Sequence, residues 1–143
     1  MSLVNKRRKK QMYQTPQPLN RFAKGYIRDA GVDIILDKSI IFEPFQITVV
    51  DLNVQLEVEA ETLALIVPRS SAAKQGLFIA TCPVDPDYSG NVHAIVFNAS
   101  KNRVKYAEGE SFCQYIMVPF VLQRANCKKE GTRTTSKFGE TGR

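Results

Sequence analysis

The stretch ITVVDLNVQLEV, residues 47–58, decides the fold class. Its second half alternates. Leu52, Val54, Leu56 and Val58 fall on one side, and Asn53, Gln55 and Glu57 on the other. A period of two sends one face into a core and the other into water, which is a half-buried β-strand. Working outward, LALIV (63–67) is a short apolar run that ends at Pro68, as a buried strand would. HAIVFN (93–98) and CQYIMVPFVL (113–122) are two more strands, rich in β-branched and aromatic residues. DAGVDIIL (29–36) and SIIFEP (39–44) form a further pair. One piece reads as helix, SSAAKQG (70–76). Serine can cap its start and Gly76 can stop it, within one or two turns. Many short strands separated by Pro and Gly predict an all-β sandwich or jelly roll. There is no internal repeat and no sign of a second domain.

The composition agrees. The chain has 143 residues, 43% hydrophobic and 24% charged, which suits one soluble domain with a core. No apolar run approaches the roughly 18 residues of a membrane span. No secretory segment follows the basic start, so the expected compartment is cytoplasmic, the host cell cytoplasm if the protein is viral. The net charge of +6 is unevenly placed. NKRRKK (5–10) supplies five positive charges in a leader, residues 1–18, that reads as disordered. The folded part is then close to neutral, so no specific nucleic-acid binding is expected. Cys82, Cys113 and Cys127 show no C-x-x-C spacing and are expected as small buried or half-buried thiols. His93 is the only histidine, which argues against a Cys/His zinc site or a histidine-activated nucleophile.

Four polar islands interrupt the strands: RDAGVD, PRSSAAKQG, PVDPDYSG and RTTSKFGETG. PRSS puts an arginine and two hydroxyls at a helix start, groups that suit phosphate. Arg133, Lys137, Thr141 and two glycines in the tail suit a polyphosphate. PVDPDY supplies a carboxylate able to act as general base on a water. Together, and with no nucleophile triad, they point to hydrolysis of a phosphate ester or anhydride.

The chain resembles the trimeric dUTPase family over residues 19–143. It is similar in five motifs, in order: DAGVD (29–33), PRSSAAKQG (68–76), VDPDYSGNVHAIVFN (84–98), EGESFCQ (108–114) and RTTSKFGETG (133–142). The resemblance implies a distorted jelly-roll, β-clip-like barrel with one short helix, assembled as a homotrimer. Residues 19–127 would be the β domain. Residues 128–143 would be an arm closing over a site that the other two chains build. The substrate implied is dUTP, cleaved to dUMP and pyrophosphate with Mg2+. Asp85 would be the general base that aims a water at the α-phosphorus. Tyr88 would stack under the deoxyribose and leave no room for a 2′-hydroxyl, with Asp87, Ser89 and Gly90 shaping the turn. Arg69, Ser70 and Ser71 would hold the phosphates, and Gln114 would brace either the phosphates or the second motif. Asp33 would reach Mg2+ through water. Pro83 and Val84 belong to the hairpin that would read uracil with backbone groups, and His93 falls near the sugar and base edge. Arg133 would pair with the γ-phosphate, Phe138 would stack on uracil, and Gly139 and Thr141 would offer donors to the terminal phosphates. Cys82, Ser111 and Glu140 depart from the residues usual in the family. A nucleotide-binding regulatory module on the same scaffold, with hydrolysis weak or lost, is the alternative. The related dCTP deaminase is disfavoured, because GNVHAIVFN lacks the carboxylate that such an enzyme carries there.

Overall fold

A computed structural model describes residues 19–128. The basic leader and most of the predicted arm, with Arg133, Phe138, Gly139 and Thr141, lie outside the described residues. In chain order the strands are β1 (Phe22–Ala23), β2 (Val32–Ile34), β3 (Ile40–Phe42), β4 (Ile47–Asp51), β5 (Thr62–Pro68), β6 (Leu77–Ile79), β7 (His93–Asn98), β8 (Val104–Tyr106) and β9 (Cys113–Pro119). A single turn of 3-10 helix, Leu19–Arg21, precedes β1, and α1 (Ser70–Lys74) links β5 to β6. Three antiparallel sheets, β1-β2-β9-β5, β3-β8 and β4-β7-β6, wrap one core as a distorted jelly roll.

The deciding stretch keeps its faces but not its strand. Leu52, Val54 and Leu56 are buried and Asn53, Gln55 and Glu57 exposed, as alternation requires. The ladder with β7, however, stops at Asp51↔His93. The cause is a bulge. Leu52 N–H donates to the Val92 carbonyl (2.9 Å) and Val92 N–H to that of Val54 (2.8 Å). Asn53 is squeezed out between them at φ 52°, a region that asparagine tolerates better than most residues. Arg21 clamps the bulge from behind: Nη2 donates to the Leu52 carbonyl (2.8 Å) and Nε to that of Ile35 (2.7 Å).

The core is built from the inward residues of all three sheets, with Ile34, Phe42, Leu52, Val54, Leu77, Val92, Val96 and Phe112 fully enclosed. Asn98 is buried among them without being orphaned. Its amide donates to the carbonyls of Phe42 (3.0 Å) and Asn102 (2.8 Å), and its oxygen accepts from Ser100 N–H (3.0 Å) and hydroxyl (2.8 Å). That satisfies the side chain and ties β7 to β3.

The helix begins differently from its sequence expectation. Arg69, not serine, is the N-cap, in extended conformation and without a side-chain cap; Ser70 is already helical. The Arg69 N–H donates to the Phe112 carbonyl (2.9 Å), so the residue just before β9 fixes the helix start. Gly76, at φ 98°, ends the segment as expected. Cys82 and Cys113 are half-buried and buried, as predicted, whereas Cys127 is exposed. Burial pushes the Cys113 thiol far up, with Asp33 adding to it, so this cysteine stays protonated and inert.

One face of β4-β7-β6 is apolar and exposed. Ile47, Phe97 and Phe78 stand in one cross-strand row. Phe45 and Val49 flank them.

Candidate active site

The first cluster forms where β5 runs into α1. Pro68 ends the strand because it has no N–H to continue the ladder. Arg69 follows, and its head is anchored twice: Nε lies 3.4 Å from the Asp33 carboxylate and Nη1 donates to the Ser111 carbonyl (3.1 Å). Asp33 on β2 is paired with Gln114 on β9, which is also paired with Val67 on β5. Gln114 Nε2 donates to the Pro68 carbonyl (3.3 Å). Of the two roles open to it, bracing the second motif is thus the one its contact supports. Ser70 and Ser71 are exposed on the first turn of α1. With five residues α1 carries little macrodipole, so Arg69 and the first-turn N–H groups are the donors this end of the cluster offers. Behind them, the Tyr106 hydroxyl donates to Gln75 Oε1 (2.5 Å), and burial raises its pKa against the pull of Arg69.

Gly31 shows how tightly this cluster is packed. A Cβ at that position would overlap the Gln114 amide. Its φ is not in the positive region, so Gly31→Ala acts through that overlap alone. We expect it to push Gln114 off the Pro68 carbonyl and cut kcat/KM for the substrate by about tenfold, the size of one good hydrogen bond. The unfolding midpoint should move by only a few degrees, since the glutamine end can swing away. Steady-state kinetics beside thermal melts checks both.

The second cluster is the turn that follows Val84. Val84 is buried, and it exchanges both backbone hydrogen bonds with Ala64 on β5 (2.8 and 3.0 Å). That bridge fixes where the turn begins. Pro83, just before it, is exposed, and Asp85, just after it, is half-buried. Tyr88 N–H donates to the Asp85 carbonyl (3.1 Å), closing the turn. The Tyr88 ring is buried and lies over Gly90, where a Cβ would come within 2.5 Å of its hydroxyl oxygen. The hydroxyl donates to the Asn91 carbonyl (2.8 Å). His93 opens β7, with Nε2 3.7 Å from the Asp51 carboxylate. Beside the turn a cleft of about 430 Å3 separates Pro86, Asp87, Tyr88 and Ser89 from residues 55–58.

The structure therefore brings Asp33, Arg69, Ser70, Ser71 and Gln114 into one group and Pro83, Val84, Asp85, Tyr88 and His93 into another. Ala64 anchors the second group, while Pro68, four residues further along β5, anchors the first. Four residues of strand amount to roughly 13 Å. Sequence reading missed Arg21, Asp51, Asn53 and Asn91, which stand behind Tyr88. An asparagine interrupting a strand pattern is the one local signal that could have pointed there.

Comparison with known proteins bears on both groups. The family model described as dUTPase matches residues 18–143. The Pol polyprotein of Ovine maedi visna related virus (strain South Africa) is 26% identical over 117 residues, 80% of this chain and 11% of the polyprotein. The chain thus spans about a tenth of that relative's length. The deoxyuridine 5'-triphosphate nucleotidohydrolase of Thermoanaerobacter sp. (strain X514) is 31% identical over 121 residues, covering 79% of this chain and 82% of that protein. Among solved structures, native EIAV dUTPase superposes with a TM-score of 0.68 at 24% identity, over 83% of this chain and 97% of that one. A mutant dUTPase from phage phi11 of S. aureus, whose structure concerns the coordination of a structural Mg(II) ion, gives 0.66 at 18% identity, over 85% and 93%.

Proposed function

The chain belongs to the dUTPase family, and on that premise we propose that it hydrolyses dUTP to dUMP and pyrophosphate. The observation that carries this reading is the locked turn from Val84 to Tyr88 beside an open cleft. Asp85 orients a water in line with the α-phosphorus and accepts its proton as the oxygen attacks. The P–O bond to the β-phosphate breaks, and pyrophosphate leaves. Tyr88 packs under the deoxyribose, where its fixed ring leaves no space for a 2′-hydroxyl. Pro83 and Val84 shape the wall that meets uracil, and His93 lies at its edge. Arg69, with first-turn groups of Ser70 and Ser71, takes up charge on the phosphates. Gln114 keeps the Pro68 carbonyl in place and so aims Arg69. No covalent intermediate is needed.

Among the described residues no group of three His, Cys, Asp or Glu is placed to hold a metal ion. Asp33 offers a single carboxylate, shared with Arg69, which fits only an ion held chiefly by phosphate oxygens and waters. On this reading Asp33 would hold Mg2+ through a water, and the ion would supply neutralising charge to the phosphates.

The separation of the two groups along β5 supports a site completed across subunits. We assign the assembly as a homotrimer with the arm from residue 128 onward closing over a site of other chains. Arg133 would then meet the γ-phosphate, Phe138 the uracil, and Gly139 and Thr141 the terminal phosphates. The exposed row of Ile47, Phe97 and Phe78 supports contact between copies, since a solvated apolar face of this kind marks an interaction surface. Ile47→Lys is expected to shift the protein from trimer to monomer in sedimentation and to remove activity with it.

Pyrophosphate release from dUTP, dCTP, dTTP and UTP with Mg2+ tests the activity. The expected result is release from dUTP alone. Binding of dUTP without release would instead leave a nucleotide-binding module.

A further inference from the structure

We infer that the Asn53 bulge, together with Asp51, is the positioning element for Tyr88 and sets how strongly the site prefers deoxyribose to ribose. The inference rests on the reading of Tyr88 as the sugar platform. Its basis is a continuous chain of contacts from the end of β4 to the tyrosine hydroxyl.

Asn53 is held at four points. Its N–H donates to Asp51 Oδ1 (2.8 Å), a bond across two residues that fixes the bulge. Its amide donates to Asp37 Oδ2 (2.9 Å). Its amide oxygen accepts from Asn91 Nδ2 (3.4 Å), which also lies 3.5 Å from Asp51 Oδ2. Asp37 is itself tied to Arg21 at 3.7 Å, and Arg21 Nη1 reaches the Asn53 carbonyl (3.4 Å). The hydrogen bond from Asn53 is the main reason the Asp37 carboxyl sits below its ordinary range, against the effect of burial and with help from Arg21.

Asn91 is thus gripped by its side chain, and its backbone carbonyl does the positioning. That carbonyl accepts the Tyr88 hydroxyl (2.8 Å) and lies 3.0 Å from His93 Nδ1. Gly90 supports the ring from below. A platform that must tell a hydrogen from a hydroxyl has to be held within about half an ångström. Hydroxyl, carbonyl, Asn91 amide and Asn53 form a path of contacts that leads from the ring to the end of β4.

Asn53→Gly isolates the device. Glycine keeps the positive-φ backbone and removes only the amide. The readout is the ratio of kcat/KM for dUTP to that for UTP, which does not depend on the fraction folded. We expect Asn53→Gly to lower the ratio by about three- to tenfold, the scale of one hydrogen bond. Tyr88→Phe, which cuts the other end, should lower it as well, and the double variant should fall no further than the stronger single one. Asp51→Asn, which turns one oxygen facing Asn91 into a donor, is expected to act in the same direction and serves if Asn53→Gly does not fold. An unchanged ratio in these variants, or additive losses in the double variant, would overturn the inference. Ring-flip broadening of the Tyr88 resonances gives a second readout, expected as slow flipping in the wild type and fast in Asn53→Gly. If the wild type releases no pyrophosphate from dUTP, the functional reading fails. The ring-flip comparison still decides whether Asn53 positions Tyr88, and equal flip rates would refute it.

Discussion

Asp85→Asn is expected to lower kcat on dUTP by about a hundredfold or more, the range for losing a positioned general base. Asparagine has the same shape and keeps the turn, because the bond that closes it runs from Tyr88 N–H to the backbone carbonyl of residue 85. The amide cannot accept the proton of an attacking water. An interaction used only in the transition state is lost, so kcat and kcat/KM fall together while KM stays within a few-fold. Pyrophosphate release under saturating dUTP, beside calorimetric binding of dUTP to the variant, separates the two quantities. Retained turnover would move the base away from Asp85 and with it the role of the whole turn.

The largest expected effect on stability is that of Phe112→Ala, about 3–5 kcal/mol. Phe112 is fully enclosed, with its ring 5.1 Å from Phe42 at a near-perpendicular 73° and 5.8 Å from Tyr106. These ring contacts, one edge-to-face and one tilted, hold β3 and β8 against the start of β9. The same residue's carbonyl accepts the Arg69 N–H, so the cavity opens next to the Asp33–Arg69–Gln114 cluster. Against a typical total of about 5–15 kcal/mol, such a loss leaves the domain marginal. Urea unfolding of Phe112→Ala and Phe112→Leu measures it; leucine should recover more than half of the difference. A loss near zero for alanine would mean that the three rings do not form the packed centre described above.

Much of this architecture is legible along the chain, in places where a residue's environment is set by near neighbours. Burial in residues 52–57 follows the alternation of Leu52 to Glu57 faithfully, because side-chain direction needs only an extended backbone. Strand pairing is another matter. Whether Asn53 joins a ladder depends on Val92, which no local window contains. β1, β6 and β8 have two or three residues each, too few to show any period. The helix start is a similar case: Arg69 takes the N-cap position because its N–H is held by the Phe112 carbonyl, far along the chain. The site divides in the same way. Asp85, Tyr88, Arg69 and Gln114 are recognisable through their motifs. The meeting of Asp33, Arg69 and Gln114 is a matter of register between β2, β9 and β5. Arg21 and Asn53 belong to no motif and act only through contacts that folding creates.

The order β1-β2-β9-β5 has a consequence for how the protein is made. Among the described residues β9 is the last strand to leave the ribosome, yet it lies inside the four-stranded sheet. Until Pro119 is released, β2 and β5 have no shared partner and each presents an open edge. At about 5–20 residues per second, the chain spends several seconds in that state. Closure of this sheet therefore waits until β9 has emerged. A nascent chain stalled before residue 113 should be captured by chaperones or aggregate, while one stalled with β9 fully outside the exit tunnel should already resist protease.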